Sequence, residues 1–287
     1  MLIDTHGHVS FAAFKDDAKE VLRRTLEGGV QVIMPGTQYE TSKRAVEMAG
    51  KYGEGVYAAV GLHPIHVAES RKVDRLEVQS QEGKGAPWET FETKGEEFSL
   101  EKYRELAGHK KTVAIGECGL DYYYEPKGKE KREAQRVQQK GVLAQQVKLA
   151  QEFGLPVILH CRKAHEDLID FLSPHQGKVR GVVHCYTGDV QQAERFYNLG
   201  LSFGFNGLIL KKVPALPRPE DIISAIPLER IVLETDSPYL VPPEAGHERN
   251  EPLFVTYVAE EIARIKKIPV EDVALATTEN ARRLFSL

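Results

Sequence analysis

The chain has 287 residues, 41% of them hydrophobic, and a formal net charge of −4 at pH 7. This charge argues against a protein that coats nucleic acid through overall basicity, while a local positive site is still compatible with it. No window approaches the roughly 20 apolar residues of a membrane span, and Asp4, His6 and His8 interrupt the apolar run that a signal peptide would need. Three cysteines do not make a disulfide framework. We therefore expect a cytoplasmic protein with no membrane partner and no obligate protein partner.

Eight short apolar runs bounded by turn residues follow one another along the chain. In order they are LID, VQVIMPG, VYAAVGLHP, TVAIGECGLD, LPVILHC, VRGVVHCYTG, LSFGFNG and IVLETDSP. Amphipathic segments of helical period separate them, including Asp16–Glu27, Glu130–Phe153 and Val190–Leu199. Because near-continuous apolar strands are buried on both faces, this alternation predicts a parallel sheet covered by helices. The expected fold is a single-domain α/β structure over residues 1–287, a (β/α)8 TIM-type barrel, with a doubly wound open sheet as the alternative.

An inserted segment after the third run, at about residues 66–98, interrupts this alternation of strands and helices. It is longer than the usual βα loop of roughly two to six residues, and its stretch WETFETK alternates like a small hairpin. Active sites of such barrels are built from βα loops. The insertion with its Trp88 therefore either overhangs the site or is a surface embellishment.

Candidate metal ligands stand at the ends of five of the predicted strands. His6 and His8 follow the first run, and a His-x-His pair on a strand directs both imidazoles to one face. A salt bridge or a hydrogen-bonded core histidine explains any single one of the later candidates. Their repeated placement behind apolar runs nevertheless favours a metal centre made of His6, His8, Glu117, His160, His184 and Asp236.

Six ligands exceed what one tetrahedral zinc requires, so we expect two divalent metal ions per chain. The natural division places His6, His8 and Asp236 on one ion and His160 and His184 on the other, with Glu117 bridging both. Mixed imidazole and carboxylate ligands suit Zn, Mn, Fe or Co, and Mg is a further candidate for turnover.

Strand alternation makes predictions for the neighbours of these ligands. Cys118, Cys161 and Cys185 each follow a candidate ligand, so they should point towards the helices and pack as small apolar residues. The same alternation puts Glu234 on the face of Asp236, where it orients a ligand or forms a buried salt bridge. We expect Asp121 to support the loop or a ligand histidine in the same way.

Candidate substrate contacts lie beside the ligands. Arg162 and Lys163 follow His160, and an arginine can hold phosphate through two hydrogen bonds, while Lys163 also fits a solvated helix start. His63 ends the GLHP stretch and either donates to a phosphate or makes a structural hydrogen bond. Tyr123 lies in CGLDYYYEPKGK, where aromatic and basic residues suit stacking of single-stranded nucleic acid, although it fits a core position equally well.

Two segments near the end of the chain are predicted to have structural roles. Asn250 in ERNEP is expected to hold the loop that follows the eighth strand. Thr277 or Thr278 in TTENARRLF is expected to cap the final helix.

Taken together, the motifs resemble the TatD family of metal-dependent hydrolases, a branch of the amidohydrolase-like barrel enzymes. They are IDTHGHV, VGLHP, AIGECGLDYY, PVILHCRKA, GVVHCYTGD, LETDSPYLVP, ERNEP and TTENARRLF. The resemblance implies a TIM-type barrel with the same six ligands, and a role for Asp236 as both ligand and base towards the attacking water. It also implies deoxyribonuclease activity, mostly trimming from the 3′ end and sometimes cutting at abasic sites, and some relatives resemble deacylases that act on mischarged tRNA. Only the long insertion departs from the family pattern.

These observations favour a divalent-metal-dependent phosphodiester hydrolase that trims DNA 3′ ends, with Asp236 and Glu117 as catalytic residues. One alternative keeps the metal centre and moves the target to a carbonyl, as in a deacylase or esterase acting on aminoacyl-tRNA or a small ester, because the same metals serve both reactions. Another is a non-catalytic binding protein stabilised by metal. The six-ligand set argues against the last, since structural metal sites usually have four ligands.

Overall fold

Ten strands run through the part of the chain that the computed structural model describes, which is residues 1–67, 72–74, 90–92 and 95–287. In chain order they are β1 (Leu2–Asp4), β2 (Val30–Pro35), β3 (Val56–Val60), β4 (Lys72–Asp74), β5 (Thr90–Glu92), β6 (Thr112–Asp121), β7 (Val157–Arg162), β8 (Gly181–Val183), β9 (Ser202–Phe205) and β10 (Ile231–Leu233). All eight apolar runs of the sequence contain one of these strands.

Eight of the strands pair in parallel in the order β1-β2-β3-β6-β7-β8-β9-β10. The two ends of this sheet meet: the Thr5 N–H donates to the Leu233 carbonyl at 2.9 Å, and the Asp236 N–H donates to the His6 carbonyl at 2.8 Å. These bonds bring β1 next to β10 and nearly close the sheet. The TIM-type barrel predicted from the sequence is confirmed, and the open sheet is excluded.

Helices surround the barrel, most of them on its outside between successive strands. They are α1 (Ala18–Glu27), α2 (Tyr39–Ala49), α3 (Leu100–Ala107), α4 (Lys129–Phe153), α5 (His165–Leu172), α6 (Val190–Asn198), α7 (Pro219–Ala225), α8 (Val255–Lys266) and α9 (Val270–Phe285). Local sequence sets several of the ends; for example, the Asp189 carboxylate accepts from the Gln192 N–H at 2.8 Å and begins α6. Among the described residues, no helix is both long and apolar enough to cross a membrane.

The last helix, α9, closes the amino-terminal end of the barrel. Its Leu284 and Phe285 pack with the side chains that fill the barrel interior, such as Ile3 and Val232. The predicted cap at Thr277 or Thr278 is wrong, because α9 already begins at Val270 and the Thr277 hydroxyl donates to a carbonyl within the helix. With this end sealed by apolar packing, only the carboxyl ends of the strands are left for a polar site.

The insertion after β3 contains a small antiparallel pair. Strand β4 pairs with β5, with Val73 opposite Phe91. The predicted hairpin within WETFETK therefore differs from the structure, since the partner of Thr90–Glu92 comes from the start of the insertion. Trp88 and its predicted position over the site lie outside the described residues.

Candidate metal centre

All six predicted ligands come together at the carboxyl end of the barrel. His6 and His8 are fully buried, while the other four line a cavity of about 520 Å³ that opens above them. They reach this place because each lies within or shortly after a strand whose carboxyl end lies at the same rim. Residues far apart in the chain thus form one cluster.

His6, His8 and Asp236 bring electron-pair donors close together, and Glu117 lies beside the two histidines. His6 Nε2 lies 3.1 Å from His8 Nε2 and 3.3 Å from Glu117 Oε2. His8 Nε2 lies 3.8 Å from the same carboxylate oxygen and 3.3 Å from Asp236 Oδ1, which is 3.9 Å from His6 Nε2. Tetrahedral ligands at about 2.0–2.2 Å from zinc are about 3.3–3.6 Å apart, and His6, His8 and Asp236 form a group whose donor atoms come close to this spacing.

The tautomer of His8 supports the same conclusion. Its Nδ1 lies 3.0 Å from the Pro35 carbonyl, which can only accept, so Nδ1 carries the proton and Nε2 presents a lone pair to His6. The buried Nδ1 of His6 has no hydrogen-bond partner among the described residues. Two imidazoles and two carboxylates converging in a buried place are costly unless a cation lies between them. The donor set therefore fits a divalent metal.

Glu117 connects this set to a second group of histidines. Its Oε1 lies 2.9 Å from His160 Nδ1 and 3.2 Å from His63 Nε2, while its Oε2 faces the first set. Burial alone would raise the pKa of Glu117, but His63, His6 and the hydrogen bond from His160 outweigh it and hold the pKa well below the usual range. The ionised carboxylate thus contacts both groups of histidines.

His63 contacts Glu117. Its Nδ1 accepts from the Ile65 N–H at 3.1 Å, so Nε2 carries the proton that is donated to Glu117. Burial lowers the pKa of His63 to about 4 despite the nearby carboxylate. The sequence allowed His63 either a phosphate contact or a structural hydrogen bond, and the structure shows the hydrogen bond.

His160 lies between two carboxylates. Its Nε2 is 3.1 Å from Asp121 Oδ2, opposite the contact of Nδ1 with Glu117. Burial favours the neutral ring, yet the hydrogen bonds to Asp121 and Glu117 raise the pKa of His160 overall. Asp121 also accepts from the Tyr123 N–H at 2.8 Å. It contacts both the ligand histidine and the loop, the two partners that the sequence suggested for it.

His184 lies beside Glu234. Its Nδ1 lies 2.9 Å from Glu234 Oε1, and its ring stacks on His6 with 3.5 Å between the centroids. Burial opposes protonation, but the charge of Glu234 raises the pKa of His184 to about 9. Glu234 also accepts from the Cys185 N–H and the Asn206 side chain. His184 thus groups with His6 and Glu234, whereas the sequence division had placed it with His160.

Two of the three cysteines pack as predicted. Cys118 and Cys161 are buried among the core residues beneath the helices. The predicted direction of Cys185 is wrong: it is half-buried, lines the cavity and contacts an apolar cluster at the barrel mouth. Its φ of 45° shows the reason, because strand β8 ends at Val183 and the alternation of a strand no longer applies.

Residues that join β1 to the loop after β10 were missed by the sequence analysis. The buried carboxylate of Asp4 accepts from the His6 N–H at 3.1 Å, and from the Thr235 N–H and hydroxyl at 2.9 and 2.6 Å. Its position at the end of β1, two residues before His6, could have indicated this role. The predicted role of Asn250 is confirmed, since its Nδ2 donates to the carbonyls of Thr235 and Tyr239 at 2.9 and 2.7 Å.

A cationic and aromatic surface adjoins the cluster. The Arg162 guanidinium lies 3.7 Å from the centroid of the Tyr123 ring, and Lys163 Nζ lies 4.5 Å from it. All three side chains line the cavity together with four of the six candidate ligands. No carboxylate among the described residues forms an ion pair with either cation, whereas neighbouring Tyr122 is buried and donates to Asp167. Two positive charges therefore face the space beside the candidate metal centre.

Comparison with known proteins agrees with this architecture. Residues 3–286 match the family model described as TatD related DNase. The chain belongs to the TatD family. Among its TatD relatives, an uncharacterised metal-dependent hydrolase, YabD of Bacillus subtilis (strain 168), is 34% identical over the whole of both chains. The protein named 3′-5′ ssDNA/RNA exonuclease TatD of Yersinia pseudotuberculosis is 32% identical, again over the whole of both chains.

The solved structures include the TatD homologue YjjV of Escherichia coli K12. It superposes with a TM-score of 0.78 at 31% identity, covering 100% of this chain and 98% of YjjV. The fold and the metal-dependent hydrolase character of this TatD protein are thereby shown.

Proposed function

We propose that this TatD-family protein hydrolyses phosphodiester bonds and trims single-stranded DNA from its 3′ end. The observation that carries the proposal is the position of Arg162 and Lys163 on the Tyr123 ring, in the same cavity as Glu117 and Asp236. A phosphodiester needs cations beside the metal centre, whereas a neutral ester does not. The name of the Yersinia relative supports action at the 3′ end of single strands, and the preference for DNA over RNA is part of our proposal.

Two divalent ions are proposed for this centre. The first would be held by His6, His8 and Asp236, and the second would lie beside His160, with Glu117 shared between them. His184 is left out of the second set because it lies against His6 and Glu234. Bound there, the ions would activate water and stabilise the negative charge that develops at phosphorus.

The protein side chains have separate tasks in this proposal. Asp236 lines the cavity and accepts the proton of the attacking water. Arg162 donates to the non-bridging oxygens of the phosphate, and Tyr123 holds the guanidinium in place through its ring face. His63 donates to Glu117 and Asp121 contacts His160, so both orient groups of the centre.

The decisive experiment compares substrates and metals. We would incubate 5′-labelled single-stranded DNA, single-stranded RNA, duplex DNA and a simple aryl ester with the protein in Mg²⁺, Mn²⁺, Zn²⁺ or excess chelator. Shortening of labelled DNA one nucleotide at a time, lost with chelator, is the expected result. Metal analysis after dialysis should find two ions per chain.

Arg162→Ala tests the phosphate contact. We expect kcat/KM for DNA to fall by about 10- to 100-fold, because a charge-assisted contact worth roughly 1.5–3 kcal/mol is removed. Arg195→Ala is the matched control, since Arg195 is exposed and pairs with Glu166 and Asp170 on the helical surface.

Hydrolysis of the ester with no cleavage of any oligonucleotide would instead establish the deacylase or esterase alternative. Metal binding with no hydrolysis of either would favour a binding protein.

A further inference from the structure

The cavity above the ligand cluster has two chemically different walls. Tyr123, Arg162 and Lys163 form the cationic wall, at and just beyond the ends of β6 and β7. The segments that follow β9 and β10 supply an apolar wall, made of Leu208, Val213, Leu216, Tyr239 and Leu240. Strand β8, which His184 directly follows, lies between the two in the barrel order. A ligand at the metal centre therefore meets charge on one side and hydrocarbon on the other.

The apolar wall is a packed surface. Leu208, Tyr239 and Leu240 form a buried cluster, and Val213 and Leu216 pack against it while staying half-exposed. Gly207 permits this packing, because a Cβ at that position would lie 2.1 Å from the Leu240 carbonyl oxygen. The two loops thus touch at the backbone and hold the apolar side chains in place.

This wall is continuous with the candidate metal centre. The Tyr239 N–H donates to the Asp236 carbonyl at 2.9 Å, and the Tyr239 ring centroid lies 6.4 Å from that of His8. Cys185, which packs on the same cluster, directly follows His184. A group bonded to a phosphate at the centre can therefore reach the wall without leaving the cavity.

We propose that the apolar wall binds the nucleobase of the 3′-terminal nucleotide while Arg162 holds the phosphate. This inference rests on the proposed nuclease function and adds to it a subsite for the terminal base. A nucleotide combines an anionic phosphate with a flat base whose faces are poorly hydrated. These two parts match the cationic wall and the apolar wall of the cavity. Covering half-exposed leucine and valine side chains with such a face removes apolar surface from water. Contact with a face involves no hydrogen-bonding edge, so the subsite accepts any of the four bases.

The experiment measures binding and cleavage with two oligonucleotides that differ only at the 3′ end. One ends in a normal nucleotide and the other in an abasic residue, and both carry a 5′ fluorophore. Fluorescence polarisation with chelator present measures affinity without turnover, and cleavage with Mn²⁺ measures rate. We expect the wild-type protein to bind the normal end roughly tenfold more tightly, since contact of a base with a stacking surface is worth about 1–3 kcal/mol.

Leu216→Ala should reduce this preference to about threefold or less while binding of the abasic oligonucleotide stays unchanged. Leu275→Ala is the control, because Leu275 is a leucine on the exposed face of α9 with 61% of its surface accessible. Val213→Ala, checked by its melting temperature, provides a second variant in case Leu216→Ala does not fold.

The outcomes separate this subsite from the proposed function. Equal binding and equal cleavage of the two oligonucleotides by the wild-type protein reject the base subsite and leave the nuclease function intact. Equal weakening of both oligonucleotides in Leu216→Ala also rejects it, since that result indicates only a structural role. If no oligonucleotide binds or is cleaved and an acyl ester is hydrolysed in a Leu216-dependent way, the wall binds an acyl group and both proposals are overturned.

Discussion

Replacing Asn250 with alanine tests how the loop that carries Asp236 is held. Asn250 is fully buried, and its Nδ2 donates to the carbonyls of Thr235 and Tyr239 at 2.9 and 2.7 Å. Its Oδ1 accepts from the Glu251 N–H at 2.9 Å. One side chain thus connects both ends of the loop around Asp236 to the segment that precedes α8.

The expected loss of stability follows from these three bonds. Each contributes about 1 kcal/mol net, and a buried partner left without a hydrogen bond costs about 1–3 kcal/mol. Water entering the small space left by the amide would replace some of the lost hydrogen bonds. We therefore expect Asn250→Ala to lower the free energy of unfolding by about 3–5 kcal/mol, at the upper end of single-residue effects.

Urea unfolding of the metal-free protein, followed by circular dichroism in excess chelator, measures this change without a contribution from bound metal. Asn198→Ala is the control, because Asn198 is exposed at the end of α6 and its replacement should change stability by no more than about 0.5 kcal/mol. A loss below about 1 kcal/mol for Asn250→Ala would refute the reasoning, since it would mean that these bonds do not hold the loop.

Three further predictions concern the helices and the candidate metal centre. Gly141→Ala should raise the free energy of unfolding in urea by about 0.5–1 kcal/mol, because Gly141 lies inside α4 and an added Cβ meets nothing within 4 Å; a destabilised variant would contradict it. Gly204→Ala should weaken metal binding in calorimetry by about tenfold or more, because its Cβ would lie 2.2 Å from Oε2 of the buried Glu234 and displace the partner of a ligand histidine. Gly53→Ala, where a Cβ meets nothing, should leave metal binding unchanged. Finally, Zn²⁺ or Mn²⁺ at about 100 times its dissociation constant should stabilise the protein by about 2.7 kcal/mol, seen as a rise in melting temperature, and His6→Ala should lose most of this rise.

The positions of the strands and of the candidate ligands were predictable because the signals are local. An apolar run between turn residues indicates a buried strand whatever it pairs with, and eight such runs separated by amphipathic helices fit few folds besides a barrel. Once the strands are parallel, their carboxyl ends meet at one rim. The positions of Glu117, His160 and Asp236 behind their runs therefore predicted that they would meet, although up to 119 residues separate them.

The pairing inside the cluster could not be predicted in this way. Whether His184 lies against His6 or His160 depends on the tilt of the strands and on side-chain rotamers, and neither is encoded in the spacing of residues. His63 comes three residues after β3, and its hydrogen bond with the Ile65 backbone turns its other nitrogen to Glu117. Cys185 leaves the alternation because its strand ends two residues earlier.

The sequence by itself thus determined the barrel and the side chains gathered at its mouth, because hydrophobic periodicity and strand direction are properties of short segments. Only the tertiary structure decided which atoms face each other. It was closure of the sheet between β1 and β10 that brought Asp4 to Thr235 and Asp236 to the histidine pair. The same closure placed the loops after β9 and β10 beside the centre, where their apolar residues face the cavity. These contacts join residues more than 200 positions apart, and their geometry exists only once the barrel has closed.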